Sequence, residues 1–360
     1  MSAASDSIRY GIVGTGMMGC EHIMNIALLE DAEVVAYSDP SDVTRAWGEN
    51  FSKGKAEAFD NHSEMLDAVE LDAIVVASPN HTHKAILDDL LGRDLHILCE
   101  KPLCTNADDA FEIATRAAGH PGIFWVAMEY RYMLAIDALI TQLREGAVGD
   151  LKMVAIREHR YPFLPKVGDW NRFAENTGGT LVEKCCHFFD LMNCFVGADP
   201  VRVYASGAQD VNHLDEVYGG RTPDIIDNAF AIVDYANGVR AMLDLCMFAE
   251  HSPNEVEIAL TGSEGKLEAH MPASRLISTR RDRPGNRVED FELAPELQSA
   301  GAHLGSTYYE HVAFANAIRH ETPPEVSAWD GAVAVAIGAA AEESARTRDP
   351  VEIDLSKRKN

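Results

Sequence analysis

Positive charge is scarce in this chain: 31 Lys and Arg stand against 57 Asp and Glu, and the net charge over 360 residues is -26. Such a surface opposes a phosphate backbone, and no basic stripe offsets it, so nucleic acid is excluded as an expected partner. Any site for an anion must then be built locally from lysines, arginines or helix termini. Long apolar runs are missing as well. The most hydrophobic windows, Ala73 to Ala77 among them, have the length of a buried strand rather than of a membrane span. Met1 to Tyr10 is polar, with no basic region leading into a hydrophobic one, so a secretory signal is not expected. The 7 cysteines (Cys20, Cys99, Cys104, Cys185, Cys186, Cys194 and Cys246) have no framework spacing. An odd, scattered set fits reduced thiols in a cytoplasmic protein. Internal repeats and low-complexity tracts are also lacking.

What is present is an ordinary globular composition, 46% hydrophobic and 24% charged. A chain of 360 residues favours two domains over one core. The first third alternates apolar runs (Ile8 to Gly14, Glu33 to Ser38, Asp72 to Ser78, His96 to Cys99, Gly122 to Met128) with helical patterns at Met17 to Glu30, His81 to Leu91 and Ala107 to Ala118. Strands without polar alternation, separated by helices, signal a parallel sheet covered on both faces. The pattern changes near Tyr130. Lys152 to Arg160, Asn228 to Tyr235, Arg240 to Met247 and Glu255 to Thr261 have strand character, and Asn237-Gly238 marks a hairpin. Met133 to Glu145, Gly179 to Phe195, Tyr308 to Arg319 and Asp330 to Arg346 read as helices. The expected organisation is an α/β domain over 1–129 and an α+β domain over 130–360.

Chemistry enters first at Gly14-Thr15-Gly16-Met17-Met18-Gly19, between a strand and a helix. Gly14 permits the tight turn, Gly16 admits a pyrophosphate close to the backbone, and Gly19 lets helix and strand pack closely. Free N–H groups of the helix terminus then face the phosphates. Asp39, twenty residues beyond Gly19, ends the second strand and suits both hydroxyls of an adenosine ribose while repelling a 2′-phosphate. A Rossmann domain binding NAD in preference to NADP follows, although Arg45 lies near enough to offer a phosphate a cation. Ser78-Pro79-Asn80-His81-Thr82-His83 and Glu100-Lys101-Pro102 both stand at strand ends, where parallel sheets bind ligands. Each also reads as an ordinary turn. Within this pattern Ser78, Pro79, Asn80, His83, Glu100 and Lys101 are candidate cofactor contacts, and Lys101 can aim its ammonium into the cleft.

A fourth cluster is Gly178-Gly179-Thr180-Leu181-Val182-Glu183-Lys184-Cys185-Cys186-His187. On a continuous helix Glu183 and His187 share a face. A carboxylate there would raise the imidazole pKa and orient the ring as a general base. Zinc is not expected. Adjacent cysteines diverge by roughly 100° on a helix and cannot converge with Glu183 and His187 on one ion.

With these motifs the chain resembles the glucose–fructose oxidoreductase/inositol dehydrogenase (Gfo/Idh/MocA) family. The likeness rests on Gly14 to Gly19, Asp39, Ser78 to His83, Glu100-Lys101-Pro102 and the Gly178 to Asp190 segment, and covers nearly the whole chain. The resemblance implies a Rossmann domain followed by a large, mostly antiparallel open sheet that joins subunits into a dimer or tetramer. It also implies NAD(P)-dependent oxidation of a secondary alcohol on a sugar or cyclitol. Lys101 and His187 match the family's catalytic lysine and histidine. Glu183 stands where members place Asp. Substrate contacts are then expected from Lys101, Glu183 and His187, with Arg157, His159, Tyr161, Trp170, Asn171 and Arg172 as sugar-binding candidates. Two other readings remain: a glycoside-cleaving or epimerising enzyme that oxidises its sugar only transiently, and a non-catalytic NAD(H)-sensing regulator. The regulator would have no need of Lys101 and His187.

Overall fold

Burial on both faces explains why the N-terminal apolar runs lack alternation. In the computed structural model, which describes residues 7–356, these runs are β1 (Ile8–Val13), β2 (Ala32–Ser38), β3 (Glu57–Phe59), β4 (Ala73–Val76), β5 (His96–Glu100) and β6 (Phe124–Ala127). All pair in parallel, in the order β3-β2-β1-β4-β5-β6, as in a dinucleotide-binding Rossmann sheet. Every residue of β4 and of β6 is buried. Helices α1 (Met17–Ile26), α2 (Asp42–Ser52), α3 (His62–Ala68), α4 (His83–Leu90) and α5 (Ala107–Ala117) connect the strands. Only Thr44, Gly48 and Ser52 of α2 are buried, so its apolar stripe is too thin to announce a helix from sequence. The chain runs outward from β1 to β3, then returns to place β4 on the other side of β1. That reversal opens a crevice outside the C-terminal ends of β1 and β4.

Beyond α6 (Leu134–Arg144) the chain enters a second sheet through β7 (Leu151–His159). After a 3-10 turn at Val167–Arg172 come three α-helical segments, α7 (Ala174–Thr177), α8 (Thr180–Glu183) and α9 (Cys186–Val196). The sheet continues with β8 (Pro200–Ala208), β9 (Asn228–Tyr235), β10 (Arg240–Cys246), β11 (Val256–Gly262), β12 (Gly265–Met271), β13 (Arg275–Arg280) and β14 (Asn286–Asp290). After α10 (Pro295–Gln298), α11 (Ser306–His320) and α12 (Ala328–Thr347), β15 (Val351–Glu352) closes one edge. The order is β14-β13-β12-β11-β7-β10-β9-β8-β15. Only β7 and β10 pair in parallel. Side chains alternate as one wet face demands. Ala229, Ala231 and Val233 of β9, with Ala241, Leu243 and Leu245 of β10, are buried, while Phe230, Ile232 and Met242 face outward. The helix α12 ties the two sheets together, packing on α5 and β6 on one side and on α8, α9 and β8 on the other.

One element departs from expectation. The segment Gly179 to Phe195 is not a continuous helix but breaks between α8 and α9. At the break the Cys185 N–H reaches back to the Thr180 carbonyl at 3.2 Å, a widened turn. The Glu183 carbonyl instead accepts from Lys101 Nζ at 3.2 Å, and Lys184 is drawn inward to Tyr130 Oη at 2.6 Å and Glu158 at 3.0 Å. Those tertiary bonds compete with the regular ladder, and the break falls between Glu183 and His187, whose pairing assumed one continuous helix.

Candidate active site

At the crevice, geometry dictates each glycine. Gly14 has φ +90°, and a Cβ there would lie 2.7 Å from the Ser78 backbone, so β1 and β4 meet only because it has none. A Cβ on Gly19 would sit 1.9 Å from the Gly14 carbonyl oxygen, whereas Gly16 faces open space with nothing within 4 Å. The first bond inside α1 runs from Cys20 N to Gly16 O at 3.0 Å, leaving the Met17, Met18 and Gly19 amides at a terminus with no acidic side chain in its first turn. Asp39, at the end of β2, accepts from Thr15 N and Ser41 N, both at 2.9 Å. Arg45 is no free cation. It donates to the Asp39 carbonyl at 2.7 Å and pairs with Asp42 and, at 3.1 Å, with Asp60. Ser38 Oγ and Asn80 Nδ2 line the crevice, buried and without a partner in the protein. Unpartnered amides, orphaned side-chain polar atoms and a fixed carboxylate fit a pyridine dinucleotide without a 2′-phosphate.

The crevice is a continuous cleft of about 450 Å³ that runs from Gly14, Asp39 and Trp47 past Ser78 and Asn80 to Glu100, Lys101, Lys166, Trp170 and Glu183. Glu100 is fixed from two sides: His22 Nε2 lies 3.0 Å from Oε1, and Lys101 N donates to Oε2 at 3.1 Å. Burial opposes its charge, yet His22 holds the carboxyl below the usual range. For Lys101 burial again opposes the charge, and the surrounding Cys186, Glu129 and Glu100 outweigh it, so the ammonium titrates above its ordinary value. Glu183 is buried with Oε2 unpartnered. Burial raises its pKa against the opposing charges of Lys101, Lys166, Arg172 and Lys184.

Two family patterns match this chain: an oxidoreductase-family NAD-binding Rossmann fold over residues 8–128, and an oxidoreductase-family C-terminal alpha/beta domain over residues 140–353. The chain belongs to the Gfo/Idh/MocA oxidoreductase family. A myo-inositol 2-dehydrogenase from Thermotoga maritima is 25% identical over 351 residues, covering 96% of this chain and 99% of the relative. An inositol 2-dehydrogenase from Paenarthrobacter aurescens is 26% identical over 364 residues, with 97% of each chain covered. Among solved structures, a levoglucosan dehydrogenase in complex with NADH and levoglucosan superposes with a TM-score of 0.83 at 20% identity, covering 97% of this chain and all of the other (100%), a likeness of fold. This Gfo/Idh/MocA protein is therefore an NAD-dependent oxidoreductase.

Within that frame the anticipated residues divide. Gly14, Gly16, Met17, Met18, Asp39, Ser78, Pro79, Asn80, Glu100, Lys101, Trp170 and Glu183 line the cleft. Thr15 and Gly19 lie behind it, Thr15 holding Asp39 and donating to the Thr44 carbonyl at 2.7 Å. His83 is buried away from the cleft, its ring 2.9 Å from the Pro102 carbonyl and 3.0 Å from the Ser78 carbonyl, and so links the two strand-end loops. Arg157 and His159 are misplaced by the expectation. Val154, Ile156 and Glu158 face inward on β7, so residues 157 and 159 point to the opposite face, where they pair with Glu257 at 2.6 Å and Asp244 at 3.1 Å. Tyr161 sits under the Arg160 guanidinium, 4.3 Å from its ring centroid. Asn171 and Arg172 are buried supports: Asn171 donates to the Leu164 carbonyl at 3.0 Å, and Arg172 to Glu216 at 2.9 Å.

His187 also corrects the reading from spacing. It is buried behind the cleft, stacked on Tyr130 at 4.2 Å and 7° between planes, and the carboxylate it meets is Glu129, 3.5 Å from Nε2. Its pKa falls well below the usual value instead of rising, because burial and the charges of Lys101, Lys184, His303 and Arg160 all oppose an imidazolium. Glu129, Tyr130, Lys184 and Lys166 escaped the sequence reading. The same strand-end rule that picked Lys101 would have flagged Glu129, just past β6. Among the described residues no group of three or more His, Cys, Asp or Glu side chains is placed to hold a metal ion.

Proposed function

We propose that this oxidoreductase removes hydride from a ring secondary hydroxyl carbon of a sugar or cyclitol. The observation carrying this reading is that Lys101, Glu183, Lys166 and Trp170 close the same cleft that begins at the glycine turn and Asp39. Trp170 offers a flat apolar surface to sugar C–H groups, and the charged side chains offer partners to hydroxyls. When bound, NAD+ supplies the hydride acceptor. Lys101, kept cationic, stabilises the alkoxide that develops as the hydroxyl loses its proton. His187, which matches the family's catalytic histidine and is kept neutral by burial and by the cations around it, is the base we assign to that proton from its place just behind the cleft wall. Glu183, on the cleft wall, orients the substrate through its hydroxyls. Relatives named for inositol and levoglucosan support this substrate class.

The test is a screen of inositols, monosaccharides and anhydrosugars with NAD+, following NADH absorbance. Substrate-stoichiometric NADH is expected. Product formed without net NADH would replace this reading with transient oxidation and elimination or epimerisation. We further assign the domain boundary to 129/130, a reducing cytoplasmic setting to a protein whose described cysteines are all free, and the outer sheet face to a second copy of the chain. Tyr204, Ile232 and Met242 stand in register across β8, β9 and β10 on that face and are all exposed.

A further inference from the structure

Lys166 stands half-buried on the cleft wall, where hydride transfer itself has no use for it. Among the described residues its ammonium has no hydrogen-bond or ion-pair partner. Burial lowers its pKa, and the Glu183 charge restores only part of that. Its position is nonetheless fixed by the turn that carries it. The Lys166 carbonyl accepts from Asp169 N at 2.9 Å, the Asn171 side chain donates to the Leu164 carbonyl at 3.0 Å, and the Asn176 side chain to the Trp170 carbonyl at 3.0 Å. The Trp170 ring, which lines the same cleft, meets His81 edge-on at 6.1 Å. One tied turn therefore presents a flat apolar ring and an unpaired ammonium to the same space.

We propose that the substrate is a sugar acid, a ring polyol bearing a carboxylate that Lys166 binds while Trp170 covers a C–H face of the ring. This rests on the reading of the cleft as a polyol dehydrogenase site and narrows its substrate. The redox step is unchanged: the carbinol C–H pair goes as hydride to NAD+, the O–H proton leaves to the base, and a ring ketone forms. The carboxylate takes no part in bond making. It fixes which way round the ring lies, and so which hydroxyl carbon faces the cofactor.

The distribution of charge favours an anion at this place. The chain is strongly acidic overall, yet this end of the cleft gathers cations. The charges that act on Lys166 most are Glu183, Lys101, Glu100 and Arg160, which belong to the Lys101 end of the cleft rather than the Asp39 end. The carboxylates nearby are mostly engaged. Glu158 serves both Lys184 at 3.0 Å and Arg160 at 3.5 Å, Glu216 holds Arg172 at 2.9 Å, and Glu100 lies 3.0 Å from His22. Glu183 remains, and burial raises its pKa, so it is a weak counter-charge for Lys101 and Lys166 together. Lys101 is taken by the alkoxide. Lys166 is left for the substrate, and a bound carboxylate offsets the desolvation that now opposes its charge. A carboxylate suits the place better than a phosphate. A phosphate monoester brings roughly two charges and three acceptor oxygens. Arg160 and Arg172 are already paired, and the open terminus of α1 lies at the cofactor end.

The experiment compares kcat and KM, by NADH absorbance, for D-glucuronate and D-galacturonate, their neutral methyl esters, the parent hexoses and the hexose 6-phosphates. Wild type, Lys166→Gln, Lys166→Arg and Lys166→Glu are assayed at low and high salt. For wild type a hexuronate should exceed its ester and parent hexose by about tenfold or more in kcat/KM, the size of one charge-assisted bond. Salt should narrow that preference. Lys166→Gln should abolish it, chiefly through a higher KM for the acid; Lys166→Arg should retain most of it, and Lys166→Glu should invert it. Equal kcat/KM for acid and ester in wild type overturns the proposal and leaves the dehydrogenase reading intact. So does an acid preference that survives in Lys166→Gln. A 6-phosphate preferred over the hexuronate, and lost in Lys166→Gln, overturns the carboxylate in favour of a phosphate. If no compound yields NADH, calorimetry of the hexuronates with the NADH-loaded enzyme separates the two readings. Binding that is lost in Lys166→Gln sustains the anion site and sinks the dehydrogenation, while absence of binding sinks both.

Discussion

Lys101 is where local geometry and charge meet most directly, because its amide holds Glu100 while its ammonium reaches the Glu183 carbonyl at the end of the cleft. Lys101→Ala should lower kcat by about a hundredfold or more while NAD+ affinity changes little, as titration of the cofactor against turnover will show. Glu183→Gln separates two roles. A carboxylate that tuned His187 would move the pH profile on removal, but His187 meets Glu129 instead. The expected outcome is a higher KM with an unshifted profile. Cofactor choice belongs to Asp39. With Arg45 engaged by Asp42 and Asp60, Asp39→Ala should weaken NAD+ binding and narrow its advantage over NADP+ by about tenfold, or about 1.4 kcal/mol, in paired dissociation constants.

Helix α1 carries the next test, because its glycines differ in what surrounds them. Gly19→Ala forces a Cβ to 1.9 Å from the rigid Gly14 carbonyl, and should destabilise the protein by about 3 kcal/mol or more, lowering Tm by several degrees. Gly16→Ala meets no protein atom within 4 Å. It should leave Tm unchanged but weaken NAD+ binding, since the methyl group enters the space a pyrophosphate occupies. Equal effects of both substitutions on Tm would contradict this division between packing and cofactor approach. The break between α8 and α9 illustrates the same scale. Bonds from Lys101 and Lys184, on different elements, take precedence over the helical ladder.

The molecule as a whole presents one large sheet face without a covering layer. Phe230 is 62% exposed and Ile232 50%, on β9, whose alternate residues Ala229, Ala231 and Val233 are buried. Burying such a patch against a second copy removes apolar area that a monomer leaves in water. If this face joins two copies as proposed, substituting both residues by Asp should leave a monomer, read by light scattering during size-exclusion chromatography. The cleft lies on the other layer, so NAD+ affinity should survive. A wild-type protein that is already monomeric at micromolar concentration would remove the assembly reading.

Short-range rules settled a good part of this protein in the sequence itself. The glycine turn, Asp39 and the strand-end Lys101 are legible because each depends on a few neighbouring residues and on backbone geometry that recurs wherever a parallel strand enters a helix. Doubly buried strands announce themselves for the same reason. Tertiary structure alone decided who faces whom. Arg157 and His159 belong to a run that looks sugar-binding, yet the inward demand of Val154, Ile156 and Glu158 turns them to the far face. His187 sits four residues from one carboxylate in the chain, yet the carboxylate its ring approaches is Glu129, just past β6, 3.5 Å from Nε2. Charge acts through space while spacing acts along the chain. The pKa of the buried His187 ring is therefore lowered first by burial and then by Lys101, Lys184, His303 and Arg160, which only the fold brings together.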